Sequence, residues 1–450
     1  MADLVVRGGT VVTPESVVTA DIAIEDGRIS AIAPELPGAA QEIDARGFAV
    51  LPGLIDIHVH FNEPGRTEWE GAATGSRALA AGGGTLFFDM PLNSSPCTVG
   101  PAEFDLKRAA LERSSVTDFA LWGGIVPGNY GSLAALAERG VIGFKAFMAA
   151  SGLPEFPRSD DLTLYEGMRE AARLGLPVAV HAESDELIKS LTARLATAGL
   201  TGIRDYLGSR PVLAEVAAIQ RAALLATETG VKLHIVHVSS GRGVAAAFEA
   251  RAQGADITIE TCPHYLFFTE EDVERIGAAA KCAPPLRSAH ERDRLWAALL
   301  SGIVNVVASD HSPAPPEMKR DANFFRIWGG ISGCQSTLAV LLTAGHHERG
   351  LSLTRIADLV AAWPARRFRL THKGGIVVGN DADLTLVDLA ASYTLQESDL
   401  FQRHPMSPYV GRNFRGAVRQ TLLRGLPIFV DGKTVAKGTG KFVRGAPQKS

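Results

Sequence analysis

Short runs of Val and Ile at both ends of the chain alternate with polar turn signals. Examples of these turns are Gly8-Gly9 and Glu25-Asp26-Gly27-Arg28, and the pattern is typical of antiparallel hairpins. The same texture returns at residues 383–387, 420–423 and 428–432. Because the two β-rich ends flank a different middle, we predict one small β-sandwich domain assembled from residues 1–51 and 375–450.

The middle of the chain, residues 52–374, alternates short apolar runs with longer segments rich in Ala, Leu, Glu and Arg. This alternation is typical of repeated βα units around a parallel sheet. Residues 211–227 and 288–300 are two of the predicted covering helices. Eight apolar runs are present, the number that closes a (β/α)8 TIM-like barrel, at residues 54–60, 85–90, 118–125, 143–148, 177–181, 232–238, 255–261 and 304–310. The predicted fold class is therefore α/β.

Histidines and an aspartate stand at the ends of four predicted strands. His58 and His60 are two residues apart, so their imidazoles face the same side of the first strand. His181, His237 and Asp310 end the fifth, sixth and eighth strands. Barrel enzymes build their sites at this end, and neutral imidazole is a common ligand of zinc-like metals. Two histidines alone are equally well explained as core residues, but the four strand ends together favour a metal site.

One histidine of the sixth run is assigned differently. His234 lies three residues before His237, so the alternation along a strand places its ring on the opposite side. We therefore expect His234 to pack on the outer face of the barrel.

Lys145 lies in the apolar fourth run, residues 143–148. Burial is expected to lower the pKa of this lysine and leave a neutral amine, which can add carbon dioxide. The resulting carbamate has two oxygens and one negative charge, so it can bridge two divalent metal ions that an ammonium would repel. The alternative is a lysine that extends its side chain from the strand end into solvent.

Composition and charge exclude several classes of function. A net charge of −4 with interspersed acids and bases leaves no basic stripe for nucleic acid. Four scattered cysteines predict reduced thiols in a cytoplasmic protein. The first residues lack a signal-peptide pattern, and no apolar run is long enough to span a membrane. We expect a cytoplasmic enzyme that acts on a small-molecule substrate, with neither nucleic acid nor membrane as a partner.

Taken together, these strand-end residues resemble the binuclear branch of the amidohydrolase superfamily, in particular its cyclic amidohydrolases. Further segments that agree with this family lie at residues 50–56, 261–266, 283–287 and 379–383. The resemblance implies a two-metal site in which His58 and His60 bind a buried ion, His181 and His237 bind a more exposed ion, N6-carboxylated Lys145 bridges the two, and Asp310 completes the buried site.

The resemblance also implies a mechanism and an assembly. Two divalent ions would activate water, and Asp310 would be the catalytic residue that takes up its proton and delivers it to the leaving ring nitrogen. Zinc is the expected metal, and the ligand set also suits cobalt or manganese. The same family likeness implies a homotetramer.

Two positions distinguish this chain from groups of the family with other substrates. Dihydroorotases carry an arginine two residues after the second histidine, where this chain has Asn62. Dihydropyrimidinases carry a tyrosine five residues after the bridging lysine, proposed to donate to the developing oxyanion, where this chain has Ala150. Non-catalytic scaffold relatives have lost metal ligands that this chain retains. The replacement at Ala150 leaves the oxyanion donor open.

Four segments, residues 62–71, 89–94, 327–331 and 407–412, resemble the allantoin-hydrolysing group of the family. Asn93 and Asn62 are the candidate amide partners of such a substrate, and main-chain groups at Ala283 and Gly329 are candidate contacts to its ring. An asparagine that bonds its own turn is an equal alternative for Asn93. The resemblance implies hydrolysis of allantoin to allantoate, with a dihydropyrimidinase or hydantoinase as the alternative.

Overall fold

The computed structural model describes residues 2–435 and 438–446. In chain order its strands are β1 (Leu4–Val12), β2 (Val17–Glu25), β3 (Arg28–Ala33), β4 (Gln41–Asp44), β5 (Ala49–Pro52), β6 (Leu54–Val59), β7 (Gly84–Asp89), β8 (Asp118–Gly124), β9 (Gly143–Phe147), β10 (Val178–His181), β11 (Leu233–Ile235), β12 (Ile257–Thr261), β13 (Val306–Val307), β14 (Leu384–Thr394), β15 (Asn413–Leu423), β16 (Leu426–Val430) and β17 (Lys433–Thr434).

The helices lie mainly between the strands of the middle part. They are α1 (Ala72–Ala81), α2 (Pro101–Ser114), α3 (Leu133–Arg139), α4 (Asp161–Arg173), α5 (Asp185–Thr197), α6 (Ile203–Ser209), α7 (Val212–Thr229), α8 (Gly241–Ala252), α9 (Pro263–Phe267), α10 (Glu270–Ile276), α11 (Ala289–Leu300), α12 (Thr337–Val340), α13 (Leu353–Ala357) and α14 (Trp363–Arg367). Two π-helical segments follow α12 and α13, at Leu341–His347 and Asp358–Ala362. Short 3-10 turns lie at Tyr130–Ser132, Gly277–Ala280, Pro316–Lys319, Cys334–Ser336 and Glu397–Asp399.

Strands from both ends of the chain form one nine-stranded sheet, in the order β17-β16-β15-β14-β5-β1-β2-β3, with β4 also paired to β1. The two ends meet where β5 and β14 pair antiparallel, with Leu51 opposite Thr385. Val11, Ile22 and Leu384 belong to the buried core of this sheet. The prediction that both termini build one β unit is confirmed.

Strands β6 to β13 form the barrel, and each is parallel to the next along the chain. The barrel closes between its first and last strands, where Val59 forms a parallel bridge with His311 and the His60 amide donates to the His311 carbonyl at 2.8 Å. Each of the eight predicted apolar runs overlaps one of these strands, and seven of them contain the whole strand. The predicted eight-stranded α/β barrel is thus confirmed.

Alternation along the barrel strands separates two cores. Phe88 and Trp122 belong to one cluster with other side chains of the barrel interior. Phe87 and Phe119, of opposite parity, pack in the larger cluster that joins strands to helices. The predicted helices 211–227 and 288–300 appear as α7 and α11.

The last described segment leaves the terminal sheet and lies along the barrel. Phe442 bridges to Phe119 of β8, and the Val443 amide donates to the Phe119 carbonyl at 2.8 Å. The Phe442 ring packs against Phe104 and Phe119, with centroid separations of 5.7 and 5.8 Å. Aromatic packing therefore draws this end of the predicted 375–450 unit onto the barrel.

Two sequence expectations concern the chain as a whole. All four cysteines are buried and free of disulfide bonds. Among the helices of the described residues, none has the length and apolarity needed to cross a membrane.

Candidate active site

Two strand ends bring three metal-ligand side chains together. His58 and His60 lie at the end of β6, and Asp310 follows β13. Asp310 Oδ1 is 3.1 Å from His58 Nε2 and 3.5 Å from His60 Nε2. One ligand atom from each of the three residues lies within 4.8 Å of the other two, and all three side chains are buried. This cluster can hold a metal ion.

A second pair of histidines stands beside the first group. His181 ends β10 and His237 follows β11, and His181 Nδ1 lies 3.0 Å from His237 Nε2. The His237 ring centroid is 5.4 Å from that of His58. The four predicted imidazoles therefore form one continuous cluster at the carboxyl ends of the strands.

Lys145 of β9 is completely buried, and its Nζ has no hydrogen-bond partner among the described residues. Burial lowers the pKa of Lys145 to about 8, against the opposing attraction of Glu260 and Asp310. An unpaired buried amine is costly in a folded protein. The lowered pKa increases the neutral fraction of the amine that carboxylation requires, and the complete burial contradicts a side chain extended into solvent.

The protonation states suit metal binding. Burial lowers the pKa of His58 and of His181, and lowers that of His237 further. Burial would raise the pKa of Asp310, but His58 and His60 outweigh that effect and hold it at about 2. At neutral pH the cluster therefore combines neutral imidazoles with an ionised carboxylate, the donor set that divalent metal ions need. Together with the unpaired Lys145 amine, these residues fit a metal centre.

Several residues at the site have backbone torsions that are uncommon outside glycine. Asn62, Asn93, His237 and Asp310 have φ values of 63°, 71°, 40° and 46°. Such strained positions cluster where a fold holds side chains for function. The left-handed turn at His237 also ends the regular alternation of β11.

The structure contradicts the prediction for His234. Its ring is buried inside the barrel, where His234 Nε2 lies 2.8 Å from Glu260 Oε2, and it stacks on Trp122 at 6.2 Å. His234 follows the interior parity of its strand, whereas His237 turns inward because its positive φ breaks the alternation. The prediction was wrong because the strand is not regular through both residues: β11 ends at Ile235, before His237.

Glu260 is a functional candidate that the sequence analysis missed. This fully buried carboxylate accepts hydrogen bonds from His58 Nδ1 at 2.8 Å, from His234 Nε2 at 2.8 Å and from the His237 amide at 2.9 Å. By occupying His58 Nδ1, it leaves Nε2 of that ring to face Asp310. Carboxylates behind metal-binding histidines fix the ring tautomer and orientation in this way.

Glu183 has the same relationship to the second pair. It is fully buried and accepts from His181 Nε2 at 2.8 Å, which leaves His181 Nδ1 to face His237. Arg210 donates to the same carboxylate oxygen, Glu183 Oε2, and lines the cavity. Burial opposes ionisation of Glu183, but Arg210 and His181 hold its pKa at about 2. Its place two residues after His181 was the one available sequence signal.

A cavity of about 890 Å³ opens above the cluster and reaches His58, His60, His181, His237 and Asp310. Three of the four predicted substrate contacts, Asn93, Ala283 and Gly329, line it, as does Ala150. Asn62 does not belong to the lining; it is buried, and its amide donates to the Pro313 carbonyl at 3.5 Å. Asn93 donates to Ser312 Oγ at 3.4 Å.

The segment after the first histidines contacts residues that line the cavity. Arg66 donates to the Asn93 carbonyl at 3.1 Å and pairs with Glu155. The Trp69 ring packs edge-on against Trp328, a cavity residue, at 4.9 Å. This segment therefore supports two residues of the cavity wall, Asn93 and Trp328.

A family model described as the amidohydrolase family matches residues 49–435. The chain is 70% identical over 444 residues to an allantoinase of Solibacter usitatus, covering 99% of this chain and 97% of the relative. It is 60% identical to an allantoinase of Rubrobacter xylanophilus, covering 99% and 98%.

Among solved structures, the L-hydantoinase (dihydropyrimidinase) from Arthrobacter aurescens superposes with a TM-score of 0.96 at 35% identity, covering 99% of this chain and all of that one. A dihydropyrimidinase from Brevibacillus agri superposes with a TM-score of 0.92 at 29% identity, covering 99% of both chains. The whole architecture, barrel and terminal sheet together, is thus shared with these enzymes.

Proposed function

Because the chain belongs to the amidohydrolase family, we propose that it hydrolyses the cyclic amide bond of allantoin to give allantoate. One observation supports a metal-dependent hydrolase above all: imidazoles, a carboxylate and a lysine without a hydrogen-bond partner among the described residues converge beneath one cavity. The choice of allantoin rests on the relatives, since those 70% and 60% identical are named allantoinases.

We propose that the cluster holds two divalent ions, with zinc the first choice and cobalt or manganese suited to the same donors. His58, His60 and Asp310 would hold one ion and His181 with His237 the other. Lys145, carboxylated on Nζ, would bridge them. Bound divalent ions supply Lewis-acid chemistry, because they lower the pKa of water and polarise a carbonyl oxygen.

The chain's own groups supply proton transfer and orientation. Asp310 has a pKa of about 2 and lines the cavity, so at neutral pH its carboxylate is ionised and can accept a proton. The same carboxyl would then deliver that proton to the ring nitrogen that leaves. Glu260 and Glu183 hold the imidazoles of His58 and His181 in fixed orientations.

Substrate recognition is proposed to use amide and main-chain groups. The ring and ureido arm of allantoin carry many donors and acceptors without a carboxylate. Asn93, Ala283 and Gly329 line the cavity and are proposed to meet them. Asn62 lies behind the wall, so its proposed role is to support the adjoining segment rather than to contact the ring.

A hydantoinase is the second candidate. The full-length superposition on an L-hydantoinase at 35% identity favours it specifically, because hydantoin shares the five-membered ring and lacks only the ureido arm. From the family likeness we also propose a homotetramer, which light scattering can test. Because the two candidate functions share one fold, an assay on both substrates distinguishes them.

The test is a panel assay with purified, metal-loaded protein on allantoin, hydantoin, dihydrouracil and dihydroorotate. We expect the largest kcat/KM with allantoin. Dihydroorotate should fail because a carboxylate left unpaired in a desolvated site costs several kcal/mol, on the order of 10³-fold in rate. Opening hydantoin or dihydrouracil as efficiently as allantoin would contradict the proposal.

A further inference from the structure

One wall of the cavity is a loop, residues 324–330, whose residues from Phe325 to Gly330 line the cavity. It faces the segment that contains Ala283, since a Cβ added to Gly329 would lie 4.0 Å from the Cys282 carbonyl carbon. The loop contains no regular helix or strand, so its shape depends on contacts from outside it.

The first of these contacts comes from Lys281, which is 3% exposed. Its Nζ donates to the carbonyls of Phe324 at 2.6 Å and of Phe325 at 3.3 Å, and also to that of Ile327. The three protons of an ammonium group thus meet three carbonyl oxygens. The Lys281 carbonyl in turn accepts from the Gly330 amide at 2.8 Å.

The second contact comes from Lys319, which is 7% exposed. Its Nζ donates to the carbonyls of Trp328 at 2.9 Å and Gly330 at 2.7 Å, and to that of Ala278 at 3.3 Å. Lys281 and Lys319 therefore bind five carbonyls of loop 324–330 between them. The remaining bond, from Lys319 Nζ to the Ala278 carbonyl, connects Lys319 to the turn that precedes Lys281.

Neither lysine has a carboxylate within ion-pair distance among residues 2–435 and 438–446. The buried Lys373 offers a contrast, because it pairs with Asp118 at 2.8 Å and Asp383 at 2.6 Å. A buried cation that donates its hydrogen bonds to main-chain carbonyls, without a carboxylate beside it, is costly to maintain. Such a pair at a cavity wall therefore suggests a function beyond packing.

The groups that face the two amines are cationic or weakly acidic. Burial, with Lys319 and Arg210 adding repulsion, lowers the pKa of Lys281 to about 7. Burial lowers the pKa of Lys319 to about 7, against a small opposing effect of Cys282. The ring of Tyr206 lies 4.5 Å from Lys281 Nζ and is the nearest compensating group.

We propose that Lys281 and Lys319 are positioning residues for substrate recognition: they hold loop 324–330 so that its main chain at Gly329 stands opposite Ala283, where it meets the ring amide of the substrate. The inference rests on the proposed function for the identity of that substrate. The hydrogen bonds from the two lysines to the loop do not depend on which substrate binds.

The experiment compares Lys281→Met and Lys319→Met with Lys433→Met, a matched change at an exposed lysine of β17 in the terminal sheet. For the first two we expect faster hydrogen exchange in loop 324–330. We also expect the KM for allantoin to rise about tenfold or more, while kcat stays within about threefold of that of the unmodified protein and the metal content is unchanged. This pattern is expected when a mutation removes binding that the ground state and the transition state share. Lys433→Met should match the unmodified protein.

A Met variant that fails to fold is replaced by Lys→Gln at the same position, which keeps amide donors and should restore part of the exchange protection and of the KM. Unchanged loop exchange in folded variants would overturn the proposal, as would a fall in kcat and metal content with KM unaltered. If the unmodified protein fails to hydrolyse allantoin, the proposed function is wrong, whereas the exchange measurement still decides whether the lysines hold the loop.

Discussion

Glu260 Oε1 lies 2.8 Å from His58 Nδ1, although 202 positions separate the two residues along the chain. The same carboxylate also accepts from His234 and from the His237 amide, and all three contacts are buried. One carboxylate thus links a metal-ligand candidate on the first barrel strand with two residues of the sixth. The negative charge of Glu260 is stabilised by three hydrogen-bond donors: two imidazole N–H groups and a main-chain amide.

Replacing Glu260 by Gln should weaken metal binding at the His58 side of the site. The glutamine would turn an N–H donor toward a ring or amide that also donates, and an unsatisfied buried donor costs about 1–3 kcal/mol. We expect metal affinity to fall about 10- to 100-fold. The measurement is metal content after dialysis against graded chelator, with the exposed Glu249→Gln on α8 as the control. Normal metal retention in the Glu260→Gln protein would argue against an orienting role.

Glu183→Gln should act on the other half of the site. Glu183 orients His181, and the variant would leave Arg210 without its buried carboxylate. We expect the more exposed ion to be lost preferentially, with its affinity reduced about 10- to 100-fold. Calorimetric metal titration should then resolve one weakened and one unaltered phase. Glu228→Gln on the surface of α7 is the matched control, and equal weakening of both phases would contradict separate anchoring.

Lys145→Ala should abolish tight loading of two ions. The buried amine has no hydrogen-bond partner among the described residues, so removing it leaves a space rather than a broken network. Added short-chain carboxylic acids should restore metal binding and activity, because their two oxygens can occupy the bridging position. Metal analysis with and without propionate checks this. A fully loaded, active Lys145→Ala protein without rescue would refute the bridging role.

The stability of the held conformation of loop 324–330 should depend on pH because Lys281 and Lys319, which hold the loop, titrate near neutrality. The pKa of Lys281 and of Lys319 is about 7 while each amine is buried against the loop, whereas a lysine released into solvent would have the ordinary value of 10.5. Between these values the released lysine binds more protons, so rising pH favours the held loop, by up to about tenfold per lysine and pH unit. The neutral amine avoids the cost of burying a charge and still donates two hydrogen bonds to the loop carbonyls. Below pH 7 both states are protonated and the dependence disappears.

Hydrogen exchange of the loop at pH 7 and pH 9, corrected for the chemical exchange rate, measures this effect. Protection should rise with pH in the unmodified protein and in Lys433→Met. It should be independent of pH in the double variant Lys281→Met/Lys319→Met. Protection that falls with pH in the unmodified protein would contradict the sign of the linkage.

Local sequence pattern was sufficient for the barrel and for the candidate ligands. Apolar runs mark the strands because each is buried on both faces, and a polar residue at the end of such a run stands at the mouth. The convergence of five side chains could therefore be predicted from the sequence alone: His58, His60, His181, His237 and Asp310. The β-rich ends likewise predicted their common sheet.

Only the tertiary structure decided which groups stand behind those ligands. His234 follows the interior parity of β11, and His237 also turns inward because its positive φ breaks the alternation. Sequence periodicity does not reveal a single irregular torsion. Glu260 and Lys281 act through partners distant in sequence, and a buried charge reveals its role only through what surrounds it. The position of Asn62 beside the histidines predicted a substrate contact, yet its side chain bonds to the Pro313 carbonyl and does not line the cavity. Local periodicity fixes which residues are buried, whereas contacts between distant segments fix what each buried polar group does.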